Sequence, residues 1–145
     1  MVGDVRAVIQ RAIGAQVSVN GQPVGAFEGP GLVVLLGVTH NDGEAQAQKM
    51  ARKIAELRVM RDESSAADLA APVLLISQFT LYGNTKKGRR PSWVAAAPGP
   101  VAQPLVDRVA SLLAEYGLVV SQGLFGADMQ VSLTNDGPVT VLVDT

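Results

Sequence analysis

The sequence has no cysteine, so disulfides, thiolate nucleophiles and cysteine-held zinc are excluded. It has one histidine, His40. A Ser-His-Asp triad would need that residue beside Ser77, a strand end far off in sequence, and a loop or capping histidine is the plainer expectation. With so few ligating side chains, no metal and no cofactor are expected. No Gly-x-x-x-x-Gly-Lys phosphate loop and no Gly-x-Gly-x-x-Gly turn is present, which leaves nucleotide hydrolysis and hydride transfer without support. No apolar run approaches the ~20 residues of a membrane span. The segment Met1 to Arg6 lacks the long apolar stretch of a signal peptide, and a cytoplasmic location is expected.

What is present describes a folded domain. The 145 residues are 48% hydrophobic and 17% charged, enough for one domain (1–145) with a sizeable core. Net charge is −1, which argues against a protein that coats nucleic acid. The basic residues are unevenly spread. Lys86, Lys87, Arg89 and Arg90 are four of the twelve, within five positions, and none follows Arg108. Such a patch either is a solvated loop or holds phosphates locally.

Periodicity predicts mixed secondary structure. Val5, Ala7 and Ile9 alternate against Arg6, Val8 and Gln10, as in a strand from Val5 to Arg11. Val17 and Val19 continue on a second strand, Asn20-Gly21 signals a hairpin, and Pro23 to Phe27 is the return. Gly31 to Val38 is continuously apolar, as is Val73 to Ile76, and both read as strands covered on two faces. A helix is expected from Gly43 to Met60, with Asn41 and Glu44 as a capping box. Asp62 to Ala71 reads as a loop, and Tyr82 to Pro100 as a long ordered one. Pro104 suits the first turn of a second helix whose face is Leu105, Val109, Leu112 and Tyr116, stopped by Gly117. Strands at Leu118–Val120, Met129–Leu133 and Val139–Val143 complete an α/β or α+β architecture.

Two segments are candidates for chemistry. Ser77-Gln78-Phe79-Thr80-Leu81 ends an apolar strand. It either packs and caps that strand or forms an anion-binding corner from Thr80 and the N–H groups near Phe79. Asn135-Asp136-Gly137-Pro138-Val139-Thr140 contains a Gly-Pro bond, read as a tight turn or as a cis bond. In the second case two carbonyls converge, which suits an ammonium group. Arg11 reads as a surface arginine or as a site residue, and Asp136 has no role assigned.

These segments, together with Arg6 to Arg11, Thr85 to Ser92 and Phe125-Gly126-Ala127-Asp128-Met129, resemble the D-aminoacyl-tRNA deacylase family in order and spacing over almost the whole chain. The resemblance implies hydrolysis of the ester between a D-amino acid, or mischarged glycine, and the tRNA 3′ end. It implies a single three-layer α/β/β domain with mixed, barrel-like sheets and two main helices, assembled as a homodimer. Ser77, Gln78, Phe79 and Thr80 would be the catalytic lining around the ester. Gly137 and Pro138 would enter the partner subunit's active site as a chirality gate with a cis bond, with Met129 and Arg11 close by as substrate-binding residues. Lys86, Lys87, Arg89 and Arg90 would hold the RNA.

The physical logic of such a gate is steric. Backbone carbonyls can hold the α-amino group while an L side chain is driven into the Gly-Pro backbone and excluded. A D side chain points out, and glycine has nothing to clash. Thr80 as nucleophile lacks a general base in these motifs, which favours assistance by the ribose 2′-OH of the tRNA. A catalytically inactive dimeric tRNA-binding module on the same scaffold is the alternative. The chain departs from the family pattern at Asp62 to Ala70, which is short and lacks the usual Lys-Met-Asn-Leu-like stretch. It also departs at Trp93, where Phe is common, and in the extension Met1 to Asp4.

Overall fold

Three long strands carry much of the computed structural model, which describes residues 4–145. Met1, Val2 and Gly3 of the extension lie outside the described residues. Strand β1 (Arg6–Val19) turns at Asn20-Gly21 into antiparallel β2 (Gln22–Gly37). Both turn residues have positive φ, 50° and 78°, which this two-residue hairpin requires. The separate strands expected from the sequence are continuous here. Instead of ending, they bend where the register shifts between Ile13 and Ala15. Gly14 (φ +77°) and Gly29 (φ +72°) sit on the two strands at this irregularity, where only glycine adopts the backbone cheaply.

Helix α1 (Glu44–Glu56) and the short α2 (Ala66–Leu69) connect β2 to parallel β3 (Val73–Ser77). Helix α3 (Gly99–Glu115) connects β3 to parallel β4 (Val120–Gln122). Strand β5 (Gln130–Asp144) returns antiparallel along β1, giving one mixed sheet in the order β4-β3-β2-β1-β5. The edge strands β4 and β5 do not pair, so the sheet is open and the barrel-like expectation is corrected.

The layering follows from the two-sided strands. Leu32, Val34, Leu36 and Leu75 face α1 and α3, meeting Met50, Ile54, Val109 and Leu113. Val33, Leu74 and Ile76 face the other way and pack with Ala15, Val17 and Phe27, from the parts of β1 and β2 beyond the bend. Those parts curl over the sheet closely: a Cβ on Gly25 would lie 2.6 Å from the Gln122 carbonyl oxygen. The result is a single α/β domain with an α/β/β section. Each fully buried Leu, Val or Ile contributes about 1.5–3 kcal/mol relative to exposure.

Several boundaries differ from expectation. α1 stops at Glu56 rather than Met60, because Leu57 is extended (ψ 135°). Its N-cap is Gly43, whose N–H donates to Gln46 Oε1 at 2.9 Å; Asn41 and Glu44 form no box. The loop expected over 62–71 contains α2, capped by Ser65 and Asp68. α3 begins at Gly99, before Pro104, which lies exposed in the second turn. Gly117 does end that helix, at φ +85°, but Tyr116 is exposed rather than on the buried face. The two strands expected at Met129–Leu133 and Val139–Val143 are one strand, β5, which begins at Gln130 and is interrupted by a bulge. Among the described residues no helix is long and apolar enough to cross a membrane.

Candidate active site

Strand β3 delivers Ser77 to the sheet's end. Gln78 stays attached, its N–H donating to the Leu36 carbonyl at 2.8 Å. Beyond it Phe79 to Tyr82 form a single 3-10 turn. Within its first residues, neither Phe79 N–H nor Thr80 N–H makes a backbone hydrogen bond among the described residues, as expected at the start of a turn. Arg6 holds the turn from β1: its Nη1 donates to the Leu81 carbonyl at 3.3 Å, its guanidinium lies 4.8 Å from the Tyr82 ring centre, and its Nε donates to Asp144 at 2.9 Å. Burial pushes the Tyr82 phenol up to about 12, so it carries no charge at neutral pH.

Ser77, Gln78 and Phe79 form one wall of a cavity of about 430 Å³. The segment Phe125 to Met129 also lines it, as do Ile76 and Ala102. Gly123 makes room for Met129: a Cβ there would lie 2.6 Å from Met129 Sδ. Thr80 is exposed and is not part of the wall. Its hydroxyl meets the Gln78 side-chain amide. An amide is no general base in either orientation, so this contact does not activate Thr80 as a nucleophile. His40 is also elsewhere, its Nε2 lying 2.7 Å from the Val94 carbonyl.

The loop after the turn is ordered by two hydrogen bonds between Asn84 and Ser92, of 2.7 and 2.9 Å. They close a hairpin-like excursion with Lys86, Lys87, Arg89 and Arg90 at its exposed tip. None of these four forms an ion pair among the described residues. Trp93 leaves the loop against Gly83 and meets Phe79 edge-on, with ring centres 5.5 Å apart.

Gly137 and Pro138 are not at this cavity. They lie in the β5 bulge, where four residues (136–139) stand opposite Arg11 alone, between the pairs Ala12–Asn135 and Gln10–Thr140. Both are exposed, and the bond between them is cis. Side chains close the base of the bulge. Asn135 Nδ2 donates to the carbonyls of Arg11 and Val139, each at 3.0 Å. Arg11 Nε donates to the Asp136 carbonyl at 2.8 Å, and its Nη1 to the Val59 carbonyl at 3.3 Å. Arg61 Nη2 donates to Asp136 Oδ1 at 2.6 Å. The hydrogen bond from Arg61, then its charge and that of Arg11, hold the buried Asp136 carboxyl below the usual carboxylate range.

The candidate residues therefore divide into two places. Met129 joins Ser77, Gln78 and Phe79 at the cavity; Arg11 joins Gly137 and Pro138 at the bulge. Sequence reasoning gave no role to Asn135, Asp136, Arg61 or Arg6. The first two were visible only as neighbours of Gly137-Pro138. Arg61 and Arg6 act across 75 residues of chain each, with no local signal.

Comparison with known proteins agrees over nearly the full length. A sequence model of the family described as D-Tyr-tRNA(Tyr) deacylase matches residues 8–144. A protein of Kineococcus radiotolerans named D-aminoacyl-tRNA deacylase is 64% identical over 97% of this chain and 99% of its own. One of Thermobifida fusca with the same name is 57% identical over the same shares. A solved structure described as a c-Myc DNA unwinding element binding protein superposes with a TM-score of 0.89 at 36% identity, covering 97% of this chain and 98% of that one. A second, from work on a probable eukaryotic D-amino acid tRNA deacylase, gives 0.84 at 16% identity, covers 98% and 100%, and speaks to the fold alone. With a match over nearly every residue and a relative this similar, the chain belongs to the D-Tyr-tRNA(Tyr) deacylase family.

Proposed function

We propose that the protein hydrolyses the ester between a D-amino acid and the 3′ end of tRNA, also cleaves glycyl esters, and spares L-aminoacyl-tRNA. The family match and the names of its relatives support the reaction class. The observation that carries the finer reading is the separation of cavity and bulge. Gly137-Pro138 is exposed and absent from the walls of its own chain's cavity. A second copy, in a homodimer, supplies it to the cavity as a gate against L side chains. Phe79 and Leu124 support this too: they remain 55% and 53% exposed, leaving apolar surface uncovered in one chain.

In this reading the ester lies against Ser77 to Phe79, with Met129 also in the lining. The N–H groups of Phe79 and Thr80 have capacity to stabilise the oxyanion, a role in which loss of one donor costs about 10²–10³ in rate. The ribose 2′-OH of the substrate assists attack by water, since no base adjoins Thr80. Lys86, Lys87, Arg89 and Arg90 hold the RNA backbone.

The deciding experiment is amino-acid release from D-Tyr-tRNA, L-Tyr-tRNA and Gly-tRNA, with the oligomeric state measured alongside. Loss of the D and glycyl esters with L intact, by a dimer, is the expected result. Equal rates on D and L esters, or full activity in a monomer, would overturn the gate.

A further inference from the structure

Arg61 directly precedes the short segment Asp62 to Ala70, where the chain departs from its family's pattern. The segment has its own closed geometry. Met60 N–H donates to the Ser64 carbonyl at 2.9 Å, and Ser64 N–H to the Arg61 carbonyl at 3.3 Å. Asp62 and Glu63 both take left-handed backbone, φ +60° and +54°, which is uncommon for side chains of this kind. The backbone that presents Arg61 is thus held by its own turn.

From that turn the Arg61 side chain reaches β5. Nη2 donates to Asp136 Oδ1 at 2.6 Å and Nε to Oδ2 at 3.3 Å, a two-point contact on a carboxylate. Asp136 is 9% exposed and directly precedes Gly137. A second tie runs between the same two segments, because Arg11 donates to the carbonyls of both Val59 and Asp136. We infer that Arg61, acting through Asp136, is a positioning residue that sets where Gly137-Pro138 is presented and so contributes to discrimination between D and L esters. The inference rests on the gate proposed above. Arg61 itself touches neither Gly137 nor Pro138 by hydrogen bond; its effect passes through the Asp136 carboxylate.

The test compares kcat and KM on D-Tyr-tRNA and L-Tyr-tRNA for wild type, R61A, R61Q and R61K. A suitable control is R108A, which removes another exposed two-point contact, Arg108 to Glu44, between α3 and α1. R61A and R61Q are expected to raise the L-to-D ratio of kcat/KM about tenfold, since small misplacements of a positioned group have effects of this order. R61K, which keeps the charge but not the planar fork, restores part of the ratio. R108A leaves it unchanged. Arg61 is 66% exposed on its side chain, so high salt should also move the wild-type ratio toward that of R61A. A ratio within twofold of wild type in R61A and R61Q, or equal losses on both esters, would overturn the inference. If R61A does not fold, R61Q and R61K decide on the same criterion. A wild type that fails to discriminate would instead remove the gate.

Discussion

The cavity and the β5 bulge are built in opposite ways. The cavity wall leaves the end of a strand and exposes much of Phe79, and among the described residues neither the Phe79 N–H nor that of the adjacent Thr80 makes a backbone hydrogen bond. The bulge has few residues but many ties: Asn135 at its base bonds to Arg11 and Val139, Arg11 reaches it from β1, and Arg61 reaches it from the turn after α1. The first region is receptive, with donors left over for a ligand. The second is held from several sides so that two residues without functional side chains stand in a fixed place. Under the gate proposed above, selectivity comes from backbone shape and needs the second kind of region more than the first.

The comparison breaks most sharply at Gly137. A Cβ there would lie 2.5 Å from Val139 N, which is backbone and cannot give way. Gly137→Ala should lower kcat/KM for D-Tyr-tRNA about 100-fold while the cavity stays intact. Unchanged kinetics would show the bulge to be irrelevant to turnover. Arg11→Ala comes next. It strips a donor from two carbonyls in a half-buried place, and a loss of about 1–3 kcal/mol in denaturant unfolding is expected.

Neutralising the basic tip tests the receptive side. Replacing Lys86, Lys87, Arg89 and Arg90 by Gln should raise KM for every tRNA ester alike. It should also reduce the salt slope of binding, by about 0.7–0.9 for each phosphate that is no longer neutralised. A change in the L-to-D ratio would contradict the division between RNA holding and gating. Thr80→Ala should retain activity within about tenfold of wild type, the cost of a lost orienting hydroxyl rather than of a nucleophile. Abolished turnover in a folded variant, with an acyl adduct trapped in wild type, would return Thr80 to the nucleophile's role.

The smallest effect concerns pH. Asp136 titrates below its ordinary value in the folded state, its hydrogen bond from Arg61 being the main cause. The stability it contributes is therefore fully present above the unfolded value near pH 4 and lost as pH falls through the folded one. The Tm difference between wild type and R61A should be largest at neutral pH and close below about pH 4. A gap that persists in acid would assign the Arg61 contribution to packing instead.

Much of this was legible in local pattern. The alternation of Val5, Ala7 and Ile9 places those three in the core, all at most 1% exposed. Asn20-Gly21 makes the predicted hairpin. The strands were harder, because Gly14 and Gly29 look like breaks in a one-dimensional pattern but act as bends in a paired one. The bulge was harder still. Four residues facing one is a property of two strands together, and neither sequence contains it alone.

By itself the sequence determined the family, the cysteine-free and nearly histidine-free chemistry, the hairpin turn and the two-sided apolar strands. Composition, turn residues and period-two alternation act over a few residues, so they can be read along the chain. Only the tertiary structure decided that Met129 stands with Ser77 while Arg11 stands with Gly137, and that Arg61 closes on Asp136. Those pairings are made by sheet register and by the way α1 leads into its following turn. The physical cause lies in packing between segments far apart in sequence.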